Sequence, residues 1–200
     1  MIAIVDYGMG NLKSVTNAFR SLGGDVGITR NKKEIKESRA IVLPGVGAFG
    51  KCVENLKRFE LFDLLKDMIL NDKRYLGICL GMQILFDSSE EAPGIEGMGV
   101  VKGTVPRFTG DVKVPHMGWN ATELVMETDI LSGIRSGEFF YFVHSYYCKP
   151  EERVIATETQ YGKRFASSIQ RKNLFACQFH PEKSQRAGLK LLSNFLKSCN

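Results

Sequence analysis

Residues 75–86 read YLGICLGMQILF: an apolar run of strand length meets an apolar pattern of helical spacing, and Cys79 stands at the junction with Gly77 and Gly81 on either side. A strand that turns straight into a helix restricts the chain to folds in which helices pack back across a sheet. The same alternation runs through the first ninety residues. IAIVD (2–6), VGIT (26–29) and AIVLP (40–44) are strand-like, and GMGN (8–11) is a turn. Leu12, Val15, Phe19 and Leu22 recur at helical spacing before Gly23. Val53, Leu56, Phe59, Leu61, Leu64, Leu65 and Ile69 predict one or two helices between 52 and 70, and LGMQILF predicts another.

The second half changes character. Short runs at 99–105, 112–114, 121–126, 138–143, 153–159, 165–170 and 174–179 are strand-like and broken by polar turns. SQRAGLKLLSNFLKSC predicts a closing amphipathic helix with Leu189, Leu192, Phe195 and Leu196 on its apolar side. The expected fold is α/β: one domain over 1–200, with a mostly parallel central sheet flanked by helices and antiparallel strands added in the second half.

Composition narrows the function classes. Hydrophobic residues make up 44% and charged residues 24%, as in an ordinary soluble globule. The first ten residues lack a basic leader pattern, and no apolar run is long enough to span a bilayer. The five cysteines (52, 79, 148, 177 and 199) are odd in number and form no C-x-x-C pair, which predicts reduced thiols in a cytoplasmic protein and no metal site. The net charge of +5 is concentrated from Lys149 onward, where ten Lys/Arg face four Asp/Glu. These charges are scattered and carry no nucleic-acid motif, so a solvated face or an acidic protein partner is expected.

Gly77-Ile78-Cys79-Leu80-Gly81 has the form of a nucleophile elbow with Cys at the reactive position. The glycines let neighbouring backbone pass close by, and the following helix start favours a thiolate. A buried structural cysteine is the competing reading. Of the three histidines (116, 144 and 180), His180 ends a strand-like run in ACQFHPEKS. Pro181 biases it to extended backbone, so His180 and Glu182 project the same way and the carboxylate can hold the imidazole. An oxyanion hole would draw one N–H from Leu80 and a second from Val46 or Gly47 in LPGVGAFG, where flanking glycines allow a peptide to rotate. GMGN lacks the third glycine of a phosphate loop, that place being Lys13, and alternation puts Cys177 on the face opposite His180, so CQFH is no zinc pair.

Together, LGICLGMQILF, FHPEKS, LPGVGAFG, DYGMGNL, SSEEAPG, PHMGWN and YFVHSYY resemble the glutaminase subunits of imidazole glycerol phosphate synthase, which are triad (class I) glutamine amidotransferases of histidine biosynthesis. The resemblance covers the whole chain. It implies that Cys79 attacks the glutamine side-chain amide, His180 carries the proton and Glu182 holds His180. A γ-glutamyl thioester is then hydrolysed, with no cofactor. Ammonia passes to a cyclase partner, a (β/α)8 barrel in a heterodimer, for the synthesis of imidazole glycerol phosphate and aminoimidazole carboxamide ribotide. It further implies that Gln83, Glu91, His144, Ser145 and Tyr146 line the L-glutamine pocket and that Met117, Trp119 and Lys183 face the cyclase. Two alternatives stay open: the same chemistry feeding a different synthetase, such as one modifying a surface sugar, and an inert binding module in which Cys79 is structural.

Overall fold

A computed structural model describes residues 1–199. The first half supplies β1 (Ile2–Val5), α1 (Leu12–Ser21), β2 (Val26–Thr29), α2 (Lys32–Glu37), β3 (Ile41–Gly45), α3 (Phe49–Arg58), α4 (Phe62–Leu70), β4 (Tyr75–Cys79), α5 (Leu80–Gln83) and β5 (Ser88–Ser89). The second half adds β6 (Gly103–Val105), β7 (His116–Leu124), β8 (Glu138–His144), β9 (Lys149–Pro150), β10 (Ile155–Tyr161), β11 (Lys163–Arg171), β12 (Leu174–Cys177) and α6 (Gln185–Ser198). Nine strands form one sheet in the order β2-β1-β3-β4-β12-β11-β10-β7-β8, and β5, β6 and β9 form a small second one. Pairing is parallel from β2 to β12 and antiparallel from β12 to β8, so the added antiparallel part spans as many pairings as the parallel one.

Burial explains the split. Strands β1, β3, β4 and β12 are apolar and buried throughout, because helices cover both faces. On one face Val15 and Phe19 of α1 and Leu191, Leu192 and Phe195 of α6 pack on Ile2, Ile4, Val42, Leu76 and Ile78. On the other, Ile35 and the apolar residues of α3 and α4 pack on Ala3, Val5, Ile41, Leu43 and Tyr75. Each Val, Leu, Ile or Phe among them contributes about 1.5–3 kcal/mol on burial. Strands β7 and β8 alternate instead and leave Met117, Trp119 and Phe139 exposed.

Four local expectations are corrected. The helix expected over LGMQILF is one turn, because the Ile84, Leu85 and Phe86 carbonyls turn aside to accept N–H groups of Met98, Val100, Val101 and Gly99. Residues 112–114 pair with no strand. The strand expected over 121–126 starts earlier, at His116, and ends at Leu124, so most of PHMGWN belongs to β7. In α6 the buried apolar residues are Leu191, Leu192 and Phe195, while Leu189 is exposed.

Candidate active site

Three neighbouring parallel strands deliver the site at their carboxyl ends, where ligands of open α/β sheets bind. Strand β4 ends at Cys79, β3 beside it ends at Gly45, and β12 on the other side runs on to His180. Cys79 has φ +56° and ψ −106°, a conformation that L residues avoid and that costs roughly 1–3 kcal/mol. The flanking glycines are required by contact. A Cβ on Gly81 would lie 1.9 Å from the Leu43 carbonyl oxygen, and one on Gly77 would lie 2.4 Å from the Gly81 carbonyl oxygen. The Tyr75 hydroxyl donates to that same Gly81 carbonyl at 2.7 Å, fixing the turn from beneath.

His180 Nδ1 lies 2.8 Å from Glu182 Oε1, with the two side chains 2% and 1% exposed. The backbone is docked as firmly: His180 N–H donates to the Tyr141 carbonyl, and the Ser184 hydroxyl donates to the His180 carbonyl while accepting from Tyr141 N–H. His180 Nε2 is buried without a hydrogen-bond partner. Burial works to lower the imidazole pKa, but the facing Cys79 and the bonded Glu182 outweigh it and raise it to about 10. The thiol is thus the group whose charge the imidazole senses, although Nε2 forms no hydrogen bond in this resting arrangement.

Val46, Gly47, Cys79, Leu80, Gln83, Glu91, His144, Ser145 and Tyr146, all expected from the sequence, line one cleft of about 230 Å³. A larger groove of about 740 Å³ between residues 133–138 and α6 contains neither Cys79 nor any histidine. The glycines of the 45–47 loop differ in purpose. Gly45 is a packing glycine, since a Cβ there would lie 2.5 Å from the Tyr7 hydroxyl and 2.7 Å from Leu80 Cβ. Only Gly47, at φ +112°, has the backbone freedom expected of both. Glu91 does more than line the cleft: its Oε2 accepts from Phe49 N–H at 2.8 Å, anchoring the start of α3, which no cap side chain holds.

His144 has both ring nitrogens engaged within the protein, Nδ1 with the Tyr146 carbonyl at 2.7 Å and Nε2 with His116 Nδ1 at 2.9 Å. Burial pushes the His116 pKa down to about 4; for His144, burial and the neighbouring His116 and His180 push it to about 3, so both rings are neutral at pH 7. His144 therefore braces the wall carrying Ser145 and Tyr146. Met117, Trp119 and Lys183 lie outside the cleft on the exposed face of β7 and the turn after His180. Trp119 meets Tyr141 edge-on with ring centroids 6.1 Å apart, and Lys183 Nζ sits over the Tyr141 ring at 5.6 Å. Sequence reading missed Gln178, His116, Ser184 and the exposed Phe139; alternation from His180 would have found Gln178 on the same side. Among the described residues no His/Cys/Asp/Glu cluster suits a metal, and no helix is long and apolar enough to cross a membrane.

The family model for "Glutamine amidotransferase class-I" matches residues 3–199. Proteins named imidazole glycerol phosphate synthase subunit HisH are 46% identical to the chain in Methanocaldococcus jannaschii, covering 98% of the chain and 99% of the relative, and 47% identical in Aquifex aeolicus, covering 96% and 94%. Among solved structures, a glutamine amidotransferase superposes with a TM-score of 0.77 at 17% identity, covering 100% and 99% of the two chains. PurLQS from Thermotoga maritima superposes with a TM-score of 0.76 at 18% identity, covering 100% and 98%. At those identities the structures show the fold alone.

Proposed function

The chain belongs to the class-I glutamine amidotransferases and, within them, to the glutaminase subunits of imidazole glycerol phosphate synthase, and from that premise we propose how its residues do the work. Residues 1–200 act as one amidotransferase domain in the cytoplasm. L-Glutamine enters the 230 Å³ cleft with its side-chain amide over Cys79. The thiolate attacks the amide carbon, and the carbonyl oxygen takes up negative charge. The Leu80 N–H and an N–H at Val46 or Gly47 stabilise that charge; one such donor is worth about 3 kcal/mol. His180, protonated at neutral pH, gives its Nε2 proton to the leaving ammonia and then takes a proton from the water that hydrolyses the γ-glutamyl thioester. Glu182 holds Nδ1 and so fixes which nitrogen faces the reaction.

Gln83 has a narrower role than a free carboxamide would. Its Nε2 bonds the Tyr146 carbonyl and Gln178 Oε1, so only Oε1 is left for the substrate, an acceptor suited to an α-ammonium group. Ammonia goes to a cyclase subunit, a (β/α)8 barrel seated on Met117, Trp119, Phe139, Tyr141 and Lys183. That patch has the exposed aromatics with a cation at the rim that hot spots favour.

The observation that carries this reading is the meeting of the strained elbow at Cys79 with the buried His180–Glu182 pair across adjacent parallel strands. Purified chain and cyclase should release glutamate from glutamine and consume the cyclase's formimino substrate in equal amounts. Cys79→Ser should abolish both while leaving the fold intact. Glutamate release uncoupled from that substrate would favour another synthetase as the acceptor.

A further inference from the structure

Gln178 is fully buried, two residues before His180. Its Nε2 lies 3.6 Å from Cys79 Sγ, and its Oε1 lies 3.1 Å from Gln83 Nε2. The two ends of a carboxamide look alike, so the end that faces the sulfur is decided by its neighbours. Gln83 decides it. The same Gln83 nitrogen lies 3.2 Å from the Tyr146 carbonyl oxygen, which can only accept. The end of Gln83 that faces both partners is therefore the NH₂, and the Gln178 atom it meets is the oxygen. The other end of Gln178, against the sulfur, is then the donor.

A second branch on the same carbonyl has a fixed direction of its own. The Tyr146 carbonyl also takes the His144 Nδ1 proton, which makes His144 Nε2 the acceptor of the His116 Nδ1 proton. His116 Nε2 in turn accepts from Asn120 Nδ2 at 3.2 Å. No member of the chain from Asn120 to Gln178 can be reversed without setting donor against donor or acceptor against acceptor.

We propose that Gln178 is a thiol-positioning residue: a buried donor, its direction fixed by Gln83, that holds the Cys79 sulfur on the elbow through an N–H···S hydrogen bond. The proposal rests on reading Cys79 as the nucleophile. A one-turn α5 lends the sulfur little of a helix dipole, so a side-chain donor matters more here than on an elbow backed by a long helix. The bond strengthens when the sulfur is charged and weakens when it is not. It therefore favours the thiolate and restricts the χ1 freedom of Cys79. The titratable groups whose charges couple to the sulfur are His180, backed by Glu182, together with Tyr7, Cys148 and Cys177.

The test is the pH dependence of Cys79 alkylation by iodoacetamide in the full chain, followed by peptide mapping. Burial raises the pKa of Cys52, Cys148, Cys177 and Cys199, so these thiols react slowly. Gln178→Leu should move the alkylation midpoint up by about 1 pH unit or more, the size of a hydrogen bond to a charged group. Gln178→Glu, which sets a carboxylate oxygen against the sulfur, should move it further. A buried substitution threatens the fold, so the wild type supplies a second measurement. With isotope-labelled glutamine side chains, the Gln178 amide resonances should titrate at the alkylation midpoint and shift when Cys79 is capped. Unchanged midpoints in folded variants, or resonances indifferent to Cys79, would overturn the proposal. Neither readout needs turnover, so the two failures are distinguishable: unchanged midpoints overturn this proposal, whereas a shifted midpoint in a chain that does not hydrolyse glutamine counts against the functional reading on which it rests.

Discussion

The two walls of the cleft are built on different principles. The wall after β3 is backbone: Gly45 packed against Tyr7 and Leu80, then Val46 half out in solvent and Gly47 at φ +112°. Few contacts hold its peptide groups in one orientation. The wall formed by β12, β8 and the start of β7 is a mesh of buried side chains, with His180 on Glu182, His144 on His116 and Gln83 on Gln178, each with its direction fixed by a carbonyl or carboxylate. Buried polar networks of this kind are costly to break, and of these side chains only His180 Nε2 and Glu182 Oε2 are buried without a partner. On the proposed mechanism, the wall that would handle the proton is held by side-chain bonds, while the wall that would hold the oxyanion has room to change. A glutaminase whose ammonia is destined for a partner would place its control on the movable wall.

The comparison breaks most readily at the rigid wall. Glu182→Gln keeps the shape of the pair but removes the charge that favours the imidazolium. Turnover in the assembled complex should fall by roughly 10²–10⁴, measured as glutamate release. A loss under tenfold would mean that His180 is oriented by its backbone bonds alone. On the movable wall, Gly47→Pro removes an N–H, restricts Val46 and excludes the observed φ of +112°. It should reduce the partner-stimulated rate by roughly 10²–10³, the value of one oxyanion donor, with lone-subunit turnover already that far below the complex. If the isolated chain works at the complex's rate, the movable wall controls nothing.

A smaller effect is expected at the exposed patch. Trp119→Ala should weaken cyclase binding by about 2 kcal/mol, roughly 30-fold in Kd, with the melting temperature of the lone subunit unchanged. Equal affinity in a titration would remove Trp119 from the interface. The smallest readout is stability against pH, where the histidines pull in opposite senses. His180 is raised to about 10, so its contribution is complete below pH ~6.5 and lost as pH rises through about 10. His116 and His144 are depressed to about 4 and about 3, so theirs is present above pH ~6.5 and lost as pH falls through those values. Denaturant midpoints across this range should show both limbs, and Glu182→Gln should flatten the alkaline one only.

The two walls also differed in how far the sequence disclosed them. The backbone features were readable because their causes are local: a buried parallel strand is a continuous apolar run, and a turn that tolerates no Cβ must carry glycine, as at the elbow's Gly77 and Gly81. His180 and Glu182 were readable for the same reason, two residues apart on one extended stretch. The mesh was not. The Gln83–Gln178 bond joins residues 95 apart and the His116–His144 bond residues 28 apart, and no periodicity predicts which buried polar groups will meet. Helix length at the elbow failed likewise, since α5 is ended by N–H groups of residues 98–101 competing for its successors' carbonyls.

The central claim is that Cys79 forms the covalent bond to glutamine. Its most direct test is acid quenching of the assembled enzyme during turnover of carbon-labelled glutamine, followed by peptide mapping. The account predicts label on the peptide containing Cys79, removable by hydroxylamine as a thioester is, and absent from Cys79→Ser. Label on another residue, or undiminished glutamate release from Cys79→Ser, would contradict it.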